Sequence, residues 1–266
     1  RAWGVRVIGM LYCGRRDALP RAAVVKKQGS AMSAHGTAAD GTPSMPSAGG
    51  AIEPLLAAIA DPRRDGGGGV AAALSLGGPG AINEIVLELA AGRRSQTANR
   101  ETIAALLTEV RAIRLAAPAL AARDVAALAD LLAVQRDRRR ATDEEARRQL
   151  DDHLRDVLEE AAGVPLALME HARNLVRCAR AALPIATAFT VSDLGVAASL
   201  AAGAARAAEL TARVNLASLD GQRAAAIEDR IDVMLEQVAA DEAAVLSAVR
   251  QRLGARANGG ERGQGA

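Results

Sequence analysis

Four consecutive glycines, Gly66, Gly67, Gly68 and Gly69, run straight into the small-residue segment Val70-Ala71-Ala72-Ala73-Leu74-Ser75. Each glycine inside a helix costs about 1 kcal/mol against alanine, so helix propensity does not account for them. They suit a place where backbone turns tightly or comes close to something, with a helix starting just after. The free N–H groups there would receive an anionic or polar ligand; a plain flexible linker is the other reading. Asp124 stands beside Val125, Ala126, Ala127 and Leu128 in mid-helix pattern. Asp is a poor helix-interior residue, because its side chain competes for nearby backbone groups. Its plain explanation is a solvent-facing charge paired with Arg123. Asp193 follows Ser192 and suits a helix N-terminus, where the dipole favours it by about 0.3–1 kcal/mol; Gly195, two residues on, permits close approach of a ligand or a neighbouring helix. Arg93 and Arg94 follow Gly92 at a predicted helix end. Such a pair can hold an anion or face the helix carboxyl end.

The elements that must position these residues are helical. Residues 51–60 carry Ile52, Leu55, Leu56 and Ile59 on one face, and Asp61-Pro62 with the glycines ends that helix. A second helix is expected over 70–91, interrupted by Gly77, Gly78, Pro79 and Gly80. Residues 99–136 form a long pattern with Ile103, Leu106, Leu107, Val110 and Ile113 on its apolar face, kinked at Pro118. Thr142 and Glu145 have capping-box spacing for the next helix, which is expected to end at Gly163. Pro165 suits the first turn of another over 166–183. Thr190 or Ser192 caps a further helix to Leu216, Asp220-Gly221 turns the chain, and a last amphipathic helix ends near Leu253. The fold class is all-α, an Ala-rich multi-helix bundle. Residues 1–50 read as a disordered or artefactual segment, 51–253 as one helical domain and 254–266 as a disordered tail.

Composition narrows the function classes. The 266 residues are 50% hydrophobic but only 1% aromatic, so the apolar content is Ala, Leu and Val, which suits closely packed helices. A net charge of +2 and the lack of aromatic platforms argue against nucleic acid. Cys13 and Cys178 make no disulfide framework, and a reducing, cytoplasmic compartment fits. His35, His153 and His171 have no metal-ligand spacing with cysteine, so no metal is expected. No apolar run reads as a membrane span; the nearest, 194–205, reads as a core helix.

Gly66-Gly67-Gly68-Gly69-Val70-Ala71-Ala72-Ala73 resembles the Pro-Gly-Gly-Gly-(Ser/Gly)-Ala-Ala-Ala signature of the cyclodeaminase/cyclohydrolase family. Further stretches follow in the family's order. Gly92-Arg93-Arg94 is similar to Gly-Lys-Lys, Asp124-Val125-Ala126-Ala127-Leu128 to Asp-x-x-Ala-Phe/Tyr, and Val164-Pro165-Leu166 to Val-Pro-Leu. Ser192-Asp193-Leu194-Gly195-Val196-Ala197-Ala198 resembles Ser-Asp-Ala-Gly-Val-Ala-Ala, and Val214-Asn215-Leu216 a Val-x-Asn segment. The resemblance spans residues 52–252. Departures fall on family pocket positions: Gly66 replaces the proline, Ala186-Thr187-Ala188-Phe189 an Asn-rich loop, Thr211 an Asn, and Leu128 an aromatic.

The resemblance implies a one-carbon folate enzyme. Its chemistry is either hydrolysis of 5,10-methenyltetrahydrofolate to 10-formyltetrahydrofolate or cyclodeamination of 5-formiminotetrahydrofolate with release of ammonia. Both pass through a tetrahedral carbon between two nitrogens and need a proton moved. Asp124 takes the family's general acid/base position. Gly66, Gly67, Gly68, Gly69, Arg93, Asp193 and Asn215 take substrate-binding positions, with Arg93 and Arg94 towards the glutamate tail and Asn215 towards the pterin edge. No cofactor beyond the tetrahydrofolate substrate is implied, and a homodimer is. With residues 1–50 alone upstream, the free-standing cyclohydrolase is preferred. The departures leave a non-catalytic folate binder or helical interaction protein as the alternative of another class.

Overall fold

A computed structural model of the chain describes residues 48–61, 67–216, 219 and 221–261. Gly66, most of the expected 1–50 segment and the end of the tail lie outside the described residues. The chain divides into two units at Gly67 and Gly68. The first holds helix α1, Ala48–Ala60. The second holds α2 (Gly68–Leu74), α3 (Gly77–Ala91), α4 (Arg100–Arg140), α5 (Glu144–Ala182), α6 (Val191–Leu216) and α7 (Gly221–Glu261). Short 3-10 turns, Arg94–Asn99 and Leu183–Ile185, link α3 to α4 and α5 to α6. No strand occurs among the described residues.

The alanine content is explained by α6. It packs against α2, α3, α5 and α7. Ala197, Ala198, Ala201, Ala202, Ala205, Ala208 and Ala212 are all wholly buried along it. Side chains of one methyl let several neighbours approach one axis while the core keeps its close packing. Gly195 continues the same logic: a Cβ there would meet Val249 of α7 at 3.4 Å, so its closeness is to a partner helix. On α7, Ile231, Met234, Val238, Val245 and Val249 recur on one buried stripe.

Four sequence expectations change. Thr142 is not the cap of α5; Asp143 is, and its Oδ1 accepts the Ala146 N–H at 2.7 Å. Pro165 does not open a helix but lies inside the continuous α5, and Gly163 does not end it. The last helix runs to Glu261, past Leu253. The one described segment long and apolar enough to cross a membrane is Gly68–Ala91, not 194–205. A turn at residues 75–76 breaks it and half of it is buried in the protein. Its glycines and Pro79 had made it read as interrupted.

Candidate active site

Helix α4 shows why Asp124 is unusual. Ile103, Leu106, Val110, Ile113, Ala117 and Leu120 alternate at steps of three and four, and the series continues beyond residue 124 with Ala127, Leu131 and Val134. All of these are buried, and Asp124 fills the missing rung as a half-buried carboxylate. A charge in a core register is costly unless partnered. Asp124 has no hydrogen bond or ion pair among the described residues; Arg123 pairs instead with Glu160 of α5 at 2.6 Å. Burial, with nothing to offset it, holds the Asp124 carboxyl above the usual Asp range. The register of this rung is a sequence signal for Asp124 beyond its neighbours' apolarity.

Gly69 of α2 is the surface against which that carboxylate lies. A Cβ built on Gly69 would stand 2.5 Å from the Asp124 carboxyl carbon and nearer still to both its oxygens. No side chain fits there without displacing Asp124. Gly68 has open space where its Cβ would be. It lines an open groove of about 690 Å³ between α2, α3 and α6, with Ala71, Ser75, Leu200 and Gly203. Asp124 does not line that groove. The glycine run therefore has two faces, one closed on a carboxylate and one open on an apolar channel. Gly67 is half-buried.

Asn215, in the last turn of α6, faces the middle of α5. Its Nδ2 donates to the Ala161 carbonyl at 2.5 Å. Ala161 lies four residues before Pro165, so its carbonyl is the one that a proline in mid-helix leaves without an N–H. Asn215 supplies the missing donor. The sequence reading placed this amide on a ligand; the structure commits its N–H to α5. Arg123 paired with Glu160 puts residue 124 near the level of Ala161, so Gly69, Asp124 and Asn215 share one level of the bundle, midway along α4 and α5.

Arg93 and Asp193 do not join them. The Arg93 guanidinium donates to the Ile185 carbonyl, while its Nε is buried without a partner. Ile185 lies 24 residues beyond Ala161, which is about 36 Å at 1.5 Å per residue. Asp193 sits in the first turn of α6 and Asn215 in its last, again about 33 Å apart. Arg94, next to Arg93, is exposed. The candidate site of the sequence thus splits between two levels of the bundle, about 33 Å apart along α6. Other titratable groups are placed for structure. Burial pushes the Cys178 thiol up to about 12, which makes it a poor nucleophile. Burial also lowers the His171 pKa. No cluster of His, Cys, Asp or Glu among the described residues is arranged to hold a metal ion.

A family model described as formiminotransferase-cyclodeaminase matches residues 51–233. Among solved structures, formiminotetrahydrofolate cyclodeaminase from Thermotoga maritima matches with a TM-score of 0.63 and 16% identity, over 78% of this chain and 97% of that one. At that identity the structural likeness speaks for the fold. A comparison with curated proteins finds no match.

Proposed function

Because this chain belongs to the formiminotransferase-cyclodeaminase family, we propose that it opens the methenyl bridge of 5,10-methenyltetrahydrofolate with Asp124 as general acid/base. The observation that carries this is the unpartnered, half-buried carboxyl of Asp124 held against Gly69. A carboxyl above its usual range is a better proton acceptor than an exposed one, and it returns the proton more readily than a stronger base would. Half-burial also leaves one side open to the water that the reaction consumes.

In this reading water attacks the methenyl carbon and gives up a proton to the Asp124 carboxylate. The tetrahedral carbon that forms carries the new hydroxyl between N5 and N10. Its C–N5 bond then breaks as Asp124 delivers the proton to N5, the hydroxyl proton is lost to solvent, and the formyl group stays on N10. Gly69 contributes by absence: without a Cβ it leaves room for the Asp124 carboxyl against the start of α2. Asn215 acts as a positioning residue, through the α5 segment that it closes.

Cyclodeamination is the second reading, favoured by the family description itself. There N10 attacks the formimino carbon, and the same carboxyl moves the proton from N10 to the departing ammonia. The experiment is a pair of assays on purified protein: loss of the methenyl chromophore, and ammonia release from the formimino substrate. Methenyl hydrolysis that disappears in Asp124→Asn supports the first reading. Ammonia release alone supports the second. Binding of 5-formyltetrahydrofolate without turnover of either substrate would make the protein a folate binder.

A further inference from the structure

Helices α4 and α5 run antiparallel, and each carries one proline in its interior, Pro118 and Pro165. The two prolines stand at one level. Arg123 pairs with Glu160 at 2.6 Å; five residues back along α4 is Pro118, and five residues on along α5 is Pro165. From the other side, Glu109 pairs with Arg177. Nine residues along each helix lead from there to Pro118 and Leu168, within one turn of Pro165. Each proline lacks the N–H that would close its turn and crowds the carbonyl four residues before it, so both ladders are weak at the same height. Gly163 adds to this. A Cβ there would meet nothing within 4 Å, so packing does not require the glycine, and glycine loosens a helix interior. The hairpin beyond this level coheres on its own. Leu131, Val134, Val157 and Leu158 form a buried cluster there, with Leu150, Leu154 and Leu219 packed against it. Arg123 with Glu160 and Arg138 with Asp151 tie its two helices together. The α6–α7 connection grips it at three points: Asn215 donates to the Ala161 carbonyl, Leu219 packs on the cluster, and Arg223 pairs with Glu159.

We propose that Pro118 and Pro165 form a hinge on which the α4–α5 hairpin swings, that the swing carries the Asp124 carboxyl towards and away from Gly69, and that the Asn215–Ala161 hydrogen bond is the catch that holds the near position. The two prolines are thereby positioning residues for the general acid/base. Asp124 lies six residues beyond Pro118, on the moving side, and Gly69 belongs to α2 on the other. Six residues are about 9 Å, so a bend of about 20° moves residue 124 by about 3 Å. A misplacement of about 1 Å already costs catalytic geometry. The same bend moves Arg139, about 32 Å out at the tip, by about 11 Å. The prolines differ in one respect. Pro118 is exposed, so water answers the Arg114 carbonyl at any angle. Pro165 is buried, so the Ala161 carbonyl depends on Asn215. The catch therefore acts on α5. The hinge stands on the geometry alone; its effect on turnover rests on the proposed folate reaction.

Two measurements separate these parts. Spin labels are placed at Arg139→Cys on the hairpin tip and Val214→Cys on α6, both exposed positions, in a Cys13→Ser background. Cys178 is buried, with its thiol pushed up to about 12, and stays unlabelled. Labelled protein is diluted with unlabelled protein so that only distances within one chain are read. A hinge predicts a distance distribution broader in this parent than in its Pro118→Ala/Pro165→Ala variant, and broader still when Asn215→Ala releases the catch. Equal widths in the three proteins overturn the hinge. For the link to catalysis, Pro118→Ala/Pro165→Ala without labels is expected to keep the helical circular-dichroism spectrum and to lose about ten-fold in kcat for methenyl hydrolysis, because the carboxyl no longer moves between two positions. A narrowed distribution with kcat and KM unchanged overturns that link. A broad distribution in a protein that turns over no folate would sink the reaction while the hinge stood.

Discussion

Gly69 and the Asp124 carboxyl occupy one another's space: a single added methyl at Gly69 would stand 2.5 Å from the carboxyl carbon. The contact couples a backbone on α2 to a side chain on α4. It also explains a glycine whose backbone conformation does not itself demand one. Gly69→Ala is therefore expected to push Asp124 off its position. The predicted result is a fall in kcat of about 10- to 100-fold, as general acid/base geometry is lost, with the helical circular-dichroism spectrum retained. Gly77→Ala, where a Cβ meets open space, is the control and should leave kcat within about two-fold.

Asp124→Asn should separate activity from stability. The carboxylate is half-buried and unpartnered, so the native state bears its desolvation. Removing the charge is expected to lower kcat by at least about 100-fold. At neutral pH the same change should raise stability by about 1 kcal/mol, roughly 2–4 °C in Tm for a chain of this size. Thermal melts of the two proteins side by side check it.

That stability difference should depend on pH with a definite sign. Burial raises the folded pKa of Asp124 above that of the unfolded chain. In the window between the two values the native state binds more protons, so stability rises as pH falls through the folded value. The cost of the charge is fully present above the folded pKa and is gone below the unfolded value near about 3.9. Asp124→Asn should lose its advantage over wild type across that window. A gap in Tm unchanged from neutral pH to pH 4 would contradict the assignment.

Asn215 and Pro165 should behave as one unit. Asn215→Ala leaves the Ala161 carbonyl without a donor and is expected to cost about 1–3 kcal/mol. Pro165→Ala restores a backbone N–H to that carbonyl. In the Pro165→Ala background the Asn215→Ala loss should therefore shrink by at least about 0.5 kcal/mol. Additive losses in a double-mutant cycle would mean that the amide acts elsewhere.

The sequence made the helices legible where burial and periodicity agree. The apolar rows of α4 and α7 are of this kind: their positions are large, branched and spaced for one face. Pro165 was misread because a proline inside a helix is tolerated only when something distant answers its orphan carbonyl, and Asn215 is 50 residues away. Thr142 and Asp143 are both good caps, and only the backbone of residue 143 decided between them. Arg93 and Asp193 were grouped with Asp124 because motif order carries no distance. Some 24 residues of helix then put them at a distant level of the bundle.

The central claim is that Asp124 moves the proton in a folate C–N bond reaction, and the most direct measurement is the rate of methenyl chromophore loss with purified wild type and Asp124→Asn under identical conditions. The account predicts turnover by wild type and a rate at least about 100-fold lower in the variant, with folate still bound. Equal rates in the two proteins would contradict it.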